Sequence, residues 1–218
     1  MTGLLIAAAA LLAAQTSPAP SLDGITTVDA RTPVPIQIAL AESAGPPVAK
    51  DAAIYVLGRK GYTRARDGRN GFTCLISRER PDTLEPECFD GEGTATVVPV
   101  RMFIEEQRAL GTPAATIAAL VEEGYTAGRF KAPGKPGLVY MLSDHNYVFD
   151  PESQQVIHFP GHLMFYAPYA TQKDVGTGPG APYIVAPGTP HALMIVVPAS
   201  GPHGSGNPRD PALVRRRD

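Results

Sequence analysis

The sequence predicts an α+β domain: a mainly antiparallel sheet with a helical hairpin packed on one face. Three observations carry this. Phe72, Cys74 and Ile76 alternate with Thr73, Leu75 and Ser77, the period-2 pattern of a strand with two unlike faces. Residues 99–127 change period: Phe103, Ile104, Gln107 and Leu110 fall on one helical face, then Ile117, Leu120 and Val121 on another. Beyond them, short apolar runs return at 138–142, 162–167, 183–186 and 192–197. Two blocks of strands around a pair of helices define the α+β class.

In chain order, residues 3–14 form an uncharged apolar run of 12, short of the ~20 residues that cross a membrane, followed by the small, polar QTSPAPS. Residues 1–15 are read as a signal peptide and 16–35 as an irregular lead-in. A single domain then spans 36–198. Its first helix covers 36–43 and ends at Gly45-Pro46-Pro47, where proline cannot continue a helix. Strands at 52–57 and 61–66 follow, and the turn pairs Asp67-Gly68 and Asn70-Gly71 lead into the cysteine strand. Residues 52–77 are therefore expected to form an antiparallel meander. The next stretch, RERPDTLEPE, reads as a polar, proline-broken loop. Pro99 suits a first helical turn, Gly111 closes that helix, and Thr112-Pro113 opens the second. Glu105, Glu106 and Arg108 are placed on the outer face of the pair. Residues 199–218 read as a disordered basic tail whose last ten, RDPALVRRRD, hold four Arg and two Asp.

The chain has two cysteines, Cys74 and Cys88. In an exported protein an even count defaults to a disulfide. A nucleophilic thiol needs a helix N-terminus or a neighbouring cation, whereas Cys74 sits mid-strand among apolar residues. A bridge of this loop length restricts the unfolded chain by roughly 3 kcal/mol in the chain-entropy model. With 22 glycines and 23 prolines in 218 residues, loops are many. The formal net charge of −2 gives no electrostatic footprint for nucleic acid. No stable membrane insertion is expected after signal cleavage.

Little in the sequence assembles into a catalytic constellation. His162 opens one apolar run (PGHLMFY) and His191 precedes another (GTPHALM). If those strands are neighbours with coincident ends, the two imidazoles meet at one rim of the sheet as catalytic candidates. A zinc site would need further ligands from Asp144, His145, Asp150 and His158. Pro160-Gly161 denies His158 and His162 the helical HxxxH geometry, and no metal or cofactor is assigned. His145, His158 and His203 read as structural. Tyr166, Tyr169 and Tyr183, with Tyr140 nearby, either line a ligand pocket or fill core edges. Glu85, Glu87, Asp90 and Glu92 read as a solvated acidic loop. Phosphate loops, dinucleotide fingerprints, CxxC pairs and a G-x-S-x-G elbow are absent from the sequence.

The blocks NGFTC…CFD, HLMFYAPY and GTPHALMIVVP, within about 42–198, resemble a group of exported bacterial proteins with no known activity. The resemblance implies a bacterial, periplasmic or secreted protein and carries over no ligand or catalytic residue. The expected function is a non-catalytic module that binds a small ligand or a protein partner through the loops around 171–190. The alternative is a histidine- or metal-dependent hydrolase centred on His162 and His191.

Overall fold

The computed structural model describes residues 19–150, 153–177, 181–196 and 215–216. The expected leader, His203 and the tail, apart from Arg215–Arg216, lie outside the described residues. Helix α1 (Val34–Ser43) opens after Pro33 and carries Pro35 in its first turn, where a missing N–H costs nothing. A single 3-10 turn (Ala49–Asp51) leads to strands β1 (Ala53–Gly58), β2 (Gly61–Arg66), β3 (Thr73–Ser77) and β4 (Glu85–Phe89). Three helices follow: α2 (Gly91–Thr96), α3 (Val98–Ala109) and α4 (Ala114–Thr126). Asp90 caps α2 by accepting a bond from Gly93 N at 2.9 Å. The remaining elements are β5 (Leu138–Met141), β6 (Tyr147–Asp150), β7 (Gln155–His158), β8 (His162–Tyr166), α5 (Gln172–Val175), β9 (Tyr183–Val185), β10 (Leu193–Val196) and β11 (Arg215–Arg216).

Eight strands form one sheet in the order β2-β1-β3-β4-β5-β8-β10-β9, and a small sheet has the order β11-β7-β6. Every pairing is antiparallel except β1 with β3. The fold is thus α+β with a mostly antiparallel sheet. The expected meander over 52–77 is corrected by the parallel pair. β2 folds back on one side of β1, and the segment 67–72 carries the chain past the start of β1 to its other side. There Ala53 N donates to Phe72 O at 2.9 Å and Arg69 N to Asp51 O at 2.8 Å. Gly68 makes the crossing tight, since a Cβ there would lie 2.2 Å from Ala53 N.

Both sheet faces are covered. On one, α1 packs Leu40, Ala41 and Ala44 against Ile54, Val56, Cys74, Ile76 and Cys88. Gln37, buried inside α1, donates to Thr32 O (2.9 Å) and accepts from Leu57 N (2.7 Å), tying the lead-in to β1. On the other face, Leu75, Phe89, Val139 and Met164 meet Val97 and Val98. Helix α3 lies on this side against β2, while α4 packs on α3 through a separate cluster of Val100, Ile117, Val121 and Phe130.

Cys74 and Cys88 are joined by a disulfide and are fully buried. Cys88 lies in β4, directly opposite Cys74 of β3, so the bridge joins two strands and not a strand to a loop. The C-terminal end of α1 rests on it: a Cβ at Gly45 would lie 2.9 Å from the Cys88 sulfur. Among the described residues, no helix is long and apolar enough to cross a membrane.

Candidate functional site

The polar chemistry of the interior is concentrated under α3. Arg101, Glu105 and Arg108 stand at i, i+4 and i+7, which puts them on one face of the helix. That face meets the sheet. Glu105, expected to point outward, is 4 % exposed and is held by both Arg78 and Arg108. Arg108 also donates to Arg78 O and Glu79 O, each at 2.6 Å, and Arg78 donates to Val28 O at 3.2 Å. The apolar stripe of α3, with Phe103 and Ile104, packs instead with α4. Leu110, expected inside, is exposed.

One turn of α3 earlier, Arg101 donates to Glu87 Oε1 at 3.3 Å, while Ser77 donates to Glu87 Oε2. Glu87 is 1 % exposed in the middle of β4, while Asp90 and Glu92 belong to the cap and first turn of α2, so the expected solvated acidic loop is corrected to a strand end and a helix start. Burial pushes the Glu87 carboxyl above its ordinary pKa, against the pull of Arg101 and the Ser77 bond. Burial and the Glu105 charge likewise push the Tyr62 phenol well up, and its hydroxyl donates to Ile76 O.

The C-terminal end of this stripe opens into a cleft of about 490 Å³ between α3, the start of α4, the end of β1 and the segment after β3. That volume falls in the range of small-molecule sites, ~300–1,000 Å³. Arg59, Arg78, Arg80 and Arg108 supply its cations, and Asp29, Glu79 and Glu105 its carboxylates. These charges are unequally engaged. Asp29 is held by Arg31, at 2.7 Å, and the hydrogen bonds from Arg31 keep its carboxyl below the ordinary range. Arg80 is paired with Asp82 at 3.1 Å and lies over the Phe149 ring at 4.1 Å. One carboxylate, Glu105, serves two guanidinium groups. Partial burial, then Glu85 beside it, raises the Glu79 carboxyl above its ordinary pKa. Arg59 is exposed and has no side-chain partner among the described residues. The cleft therefore carries a surplus of positive charge, beside an apolar wall of Leu57, Pro81 and Ile117.

The predicted site residues do not converge. β8 and β10 are neighbours but antiparallel: Leu163 faces Val196 and Tyr166 faces Leu193. His162 and His191 consequently lie at opposite ends of the pair, roughly 20 Å apart along the strands. A site containing both is excluded by the register. His162 is 1 % exposed, bonds Pro160 O through Nδ1 at 2.8 Å and sits edge-on to Phe159. Burial holds its pKa down to about 4. His191 lies instead on α4, stacked on Tyr125.

Among the tyrosines, Tyr166 belongs to the core and donates to Asp90 Oδ1 at 2.9 Å. Tyr183 packs half-buried against the same core, Tyr140 packs with Phe72 on the opposite face of the sheet, and Tyr169 is 62 % exposed. His158 is bonded to Asp144 O at 2.8 Å, and Asp150 accepts from Ser153 at 2.6 Å. No group of three His, Cys, Asp or Glu able to hold a metal occurs among the described residues. No protein-family model matches the chain, and no curated protein or solved structure is significantly similar to it.

Proposed function

We propose that this chain is an exported, non-catalytic binding module of the bacterial periplasm or exterior, and that its ligand is a small organic acid. The ligand lies in the cleft at the C-terminal end of α3, with its carboxylate on Arg59 and its apolar part on Leu57, Pro81 and Ile117. The single observation that carries this reading is the cation surplus of that cleft, where Arg59 has no partner among the described residues. A guanidinium fork matches a carboxylate in geometry and charge, and such bonds are about twice as strong as neutral ones. The buried disulfide and the apolar leader of the sequence support export. The hydrolase reading draws no support from the positions of His162 and His191, which lie at opposite ends of the β8–β10 pair.

The test is a calorimetric titration with hexanoate, using hexanol as the uncharged control and matched ionic strength. Hexanoate is expected to bind, hexanol to bind at least about tenfold more weakly, and Arg59→Glu to abolish the difference. Equal binding of acid and alcohol, or hexanoate binding untouched by Arg59→Glu, overturns the reading.

A further inference from the structure

The cleft at the C-terminal end of α3 holds a second partnerless charge, opposite in sign to Arg59. The Glu79 carboxylate makes no hydrogen bond or ion pair among the described residues, although its backbone is fixed on both sides. Glu79 N donates to Glu85 Oε1 at 2.8 Å, and Glu79 O accepts from Arg108 at 2.6 Å. Arg59 and Glu79 both line the cleft, and both are exposed.

The register of the sheet sets the two side by side. β1 and β3 are parallel neighbours, with Ala53 opposite Thr73 and Ile54 opposite Cys74. They stay together toward their far ends. Tyr62, which pairs with Leu57 from the outer side of β1, reaches across that strand to donate to Ile76 O on β3. Six residues on from Ala53 and from Thr73, the same register brings Arg59 level with Glu79, just past the ends of both strands. Neighbouring strands lie ~4.8 Å apart.

The electrostatics at Glu79 show what is lacking there. Desolvation, then the Glu85 carboxylate, raises the Glu79 carboxyl above its ordinary pKa, and the charges of Arg80, Arg101 and Arg108 do not offset them. Each of these cations has a partner elsewhere: Arg80 in Asp82, Arg101 in Glu87 and Arg108 in Glu105. A cation brought against Glu79 stabilises its ionised form. The cleft thus offers a free cation and an under-compensated carboxylate in adjacent places.

A simple carboxylic acid answers only the cation. An ammonium group, with three donors and no acceptor, answers the carboxylate. In an α-amino acid the two groups are attached to one carbon, which puts both within reach of residues on neighbouring strands. The side chain is then free to lie on Leu57, Pro81 and Ile117.

Resting on the acid-binding reading above, we propose that the ligand is an α-amino acid with an apolar side chain, its carboxylate on Arg59 and its ammonium on Glu79. The full chain is titrated calorimetrically at neutral pH and matched ionic strength with L-norleucine, hexanoate and 6-aminohexanoate. These share one carbon skeleton and differ only in the presence and position of the ammonium. L-norleucine is expected to bind about tenfold or more tighter than hexanoate, the worth of one charge-assisted hydrogen bond. 6-Aminohexanoate, whose ammonium sits at the wrong end, should gain nothing over hexanoate. In Glu79→Gln, an exposed position where the melting temperature should be unchanged, the advantage of L-norleucine should shrink to about twofold or less. The proposal is overturned if L-norleucine binds no tighter than hexanoate, if 6-aminohexanoate is preferred to it, or if its advantage survives in Glu79→Gln. Hexanoate bound through Arg59 without any gain for L-norleucine sinks this inference and leaves the acid-binding reading standing. Binding by none of the three sinks both.

Discussion

Glu105→Gln is the sharpest perturbation of the interior. The carboxylate is almost wholly buried and compensates two guanidinium groups at once, Arg78 and Arg108, whose side chains are themselves only 13 % and 23 % exposed. The amide keeps the shape but leaves both cations without a counter-charge. Breaking a buried ion pair from one side costs ~3–5 kcal/mol, because the stranded charge stays desolvated. In a domain of this size each kcal/mol moves the melting temperature by roughly 2–4 °C, so a fall of about 6–20 °C is expected. Urea unfolding at neutral pH measures the free energy directly. A triple variant, Glu105→Leu with Arg78→Met and Arg108→Leu, should be less damaged than Glu105→Gln alone, since apolar replacement removes the stranded charge. Recovery should remain incomplete, because Val28 O, Arg78 O and Glu79 O lose their donors. A loss below ~1 kcal/mol in Glu105→Gln, the range of solvated surface pairs, would refute the reasoning.

Two further predictions concern stability. Reducing the Cys74–Cys88 bridge, or replacing both residues by Ala, should cost ~2–4 kcal/mol in urea unfolding; finding two free thiols in protein from its native host would sink the argument. Stability should also fall as pH drops from about 6.5 toward 4. The His162 imidazole titrates near 4 when folded and near 6.5 when unfolded, so the unfolded chain binds the extra proton in that window. The loss attributable to His162 is about 3 kcal/mol, and urea unfolding of His162→Leu at both pH values should show that much less pH dependence.

The strands carrying a plain apolar signature were legible to within a residue or two: β1, β2, β3, β5, β8, β9 and β10 lie close to the apolar or alternating runs that predicted them. β4 was not, and its residues say why. EPECF offers a proline and two glutamates, a poor strand by propensity. It stands in mid-sheet because its partners are tertiary. β5 pairs only with Cys88 and Phe89, so Pro86 is asked for no ladder bond on that side, and Glu87 is met by Ser77 and Arg101. The parallel β1–β3 pair was hidden for a different reason: turn dipeptides mark where the chain bends but not the side of β1 to which it returns. The two histidines were rightly placed at strand ends, yet their separation depends on strand direction, which apolar runs do not encode.

α3 carries two sequence patterns, one apolar and one charged, each with helical spacing. Its apolar stripe alone points to a single face turned toward the sheet, since apolar faces seek the core. The helix has two buried faces, however, and the apolar one belongs to α4. The charges at 101, 105 and 108 repeat with helical spacing of their own, and an acidic stretch with Glu85 and Glu87 precedes them in the chain. Opposite charges that keep helical register on one element and strand register on the other can neutralise each other across an interface. Such a pattern carries its own evidence of burial, because solvated charges have no reason to hold a shared phase. Here it marks the layer at whose end the cleft opens.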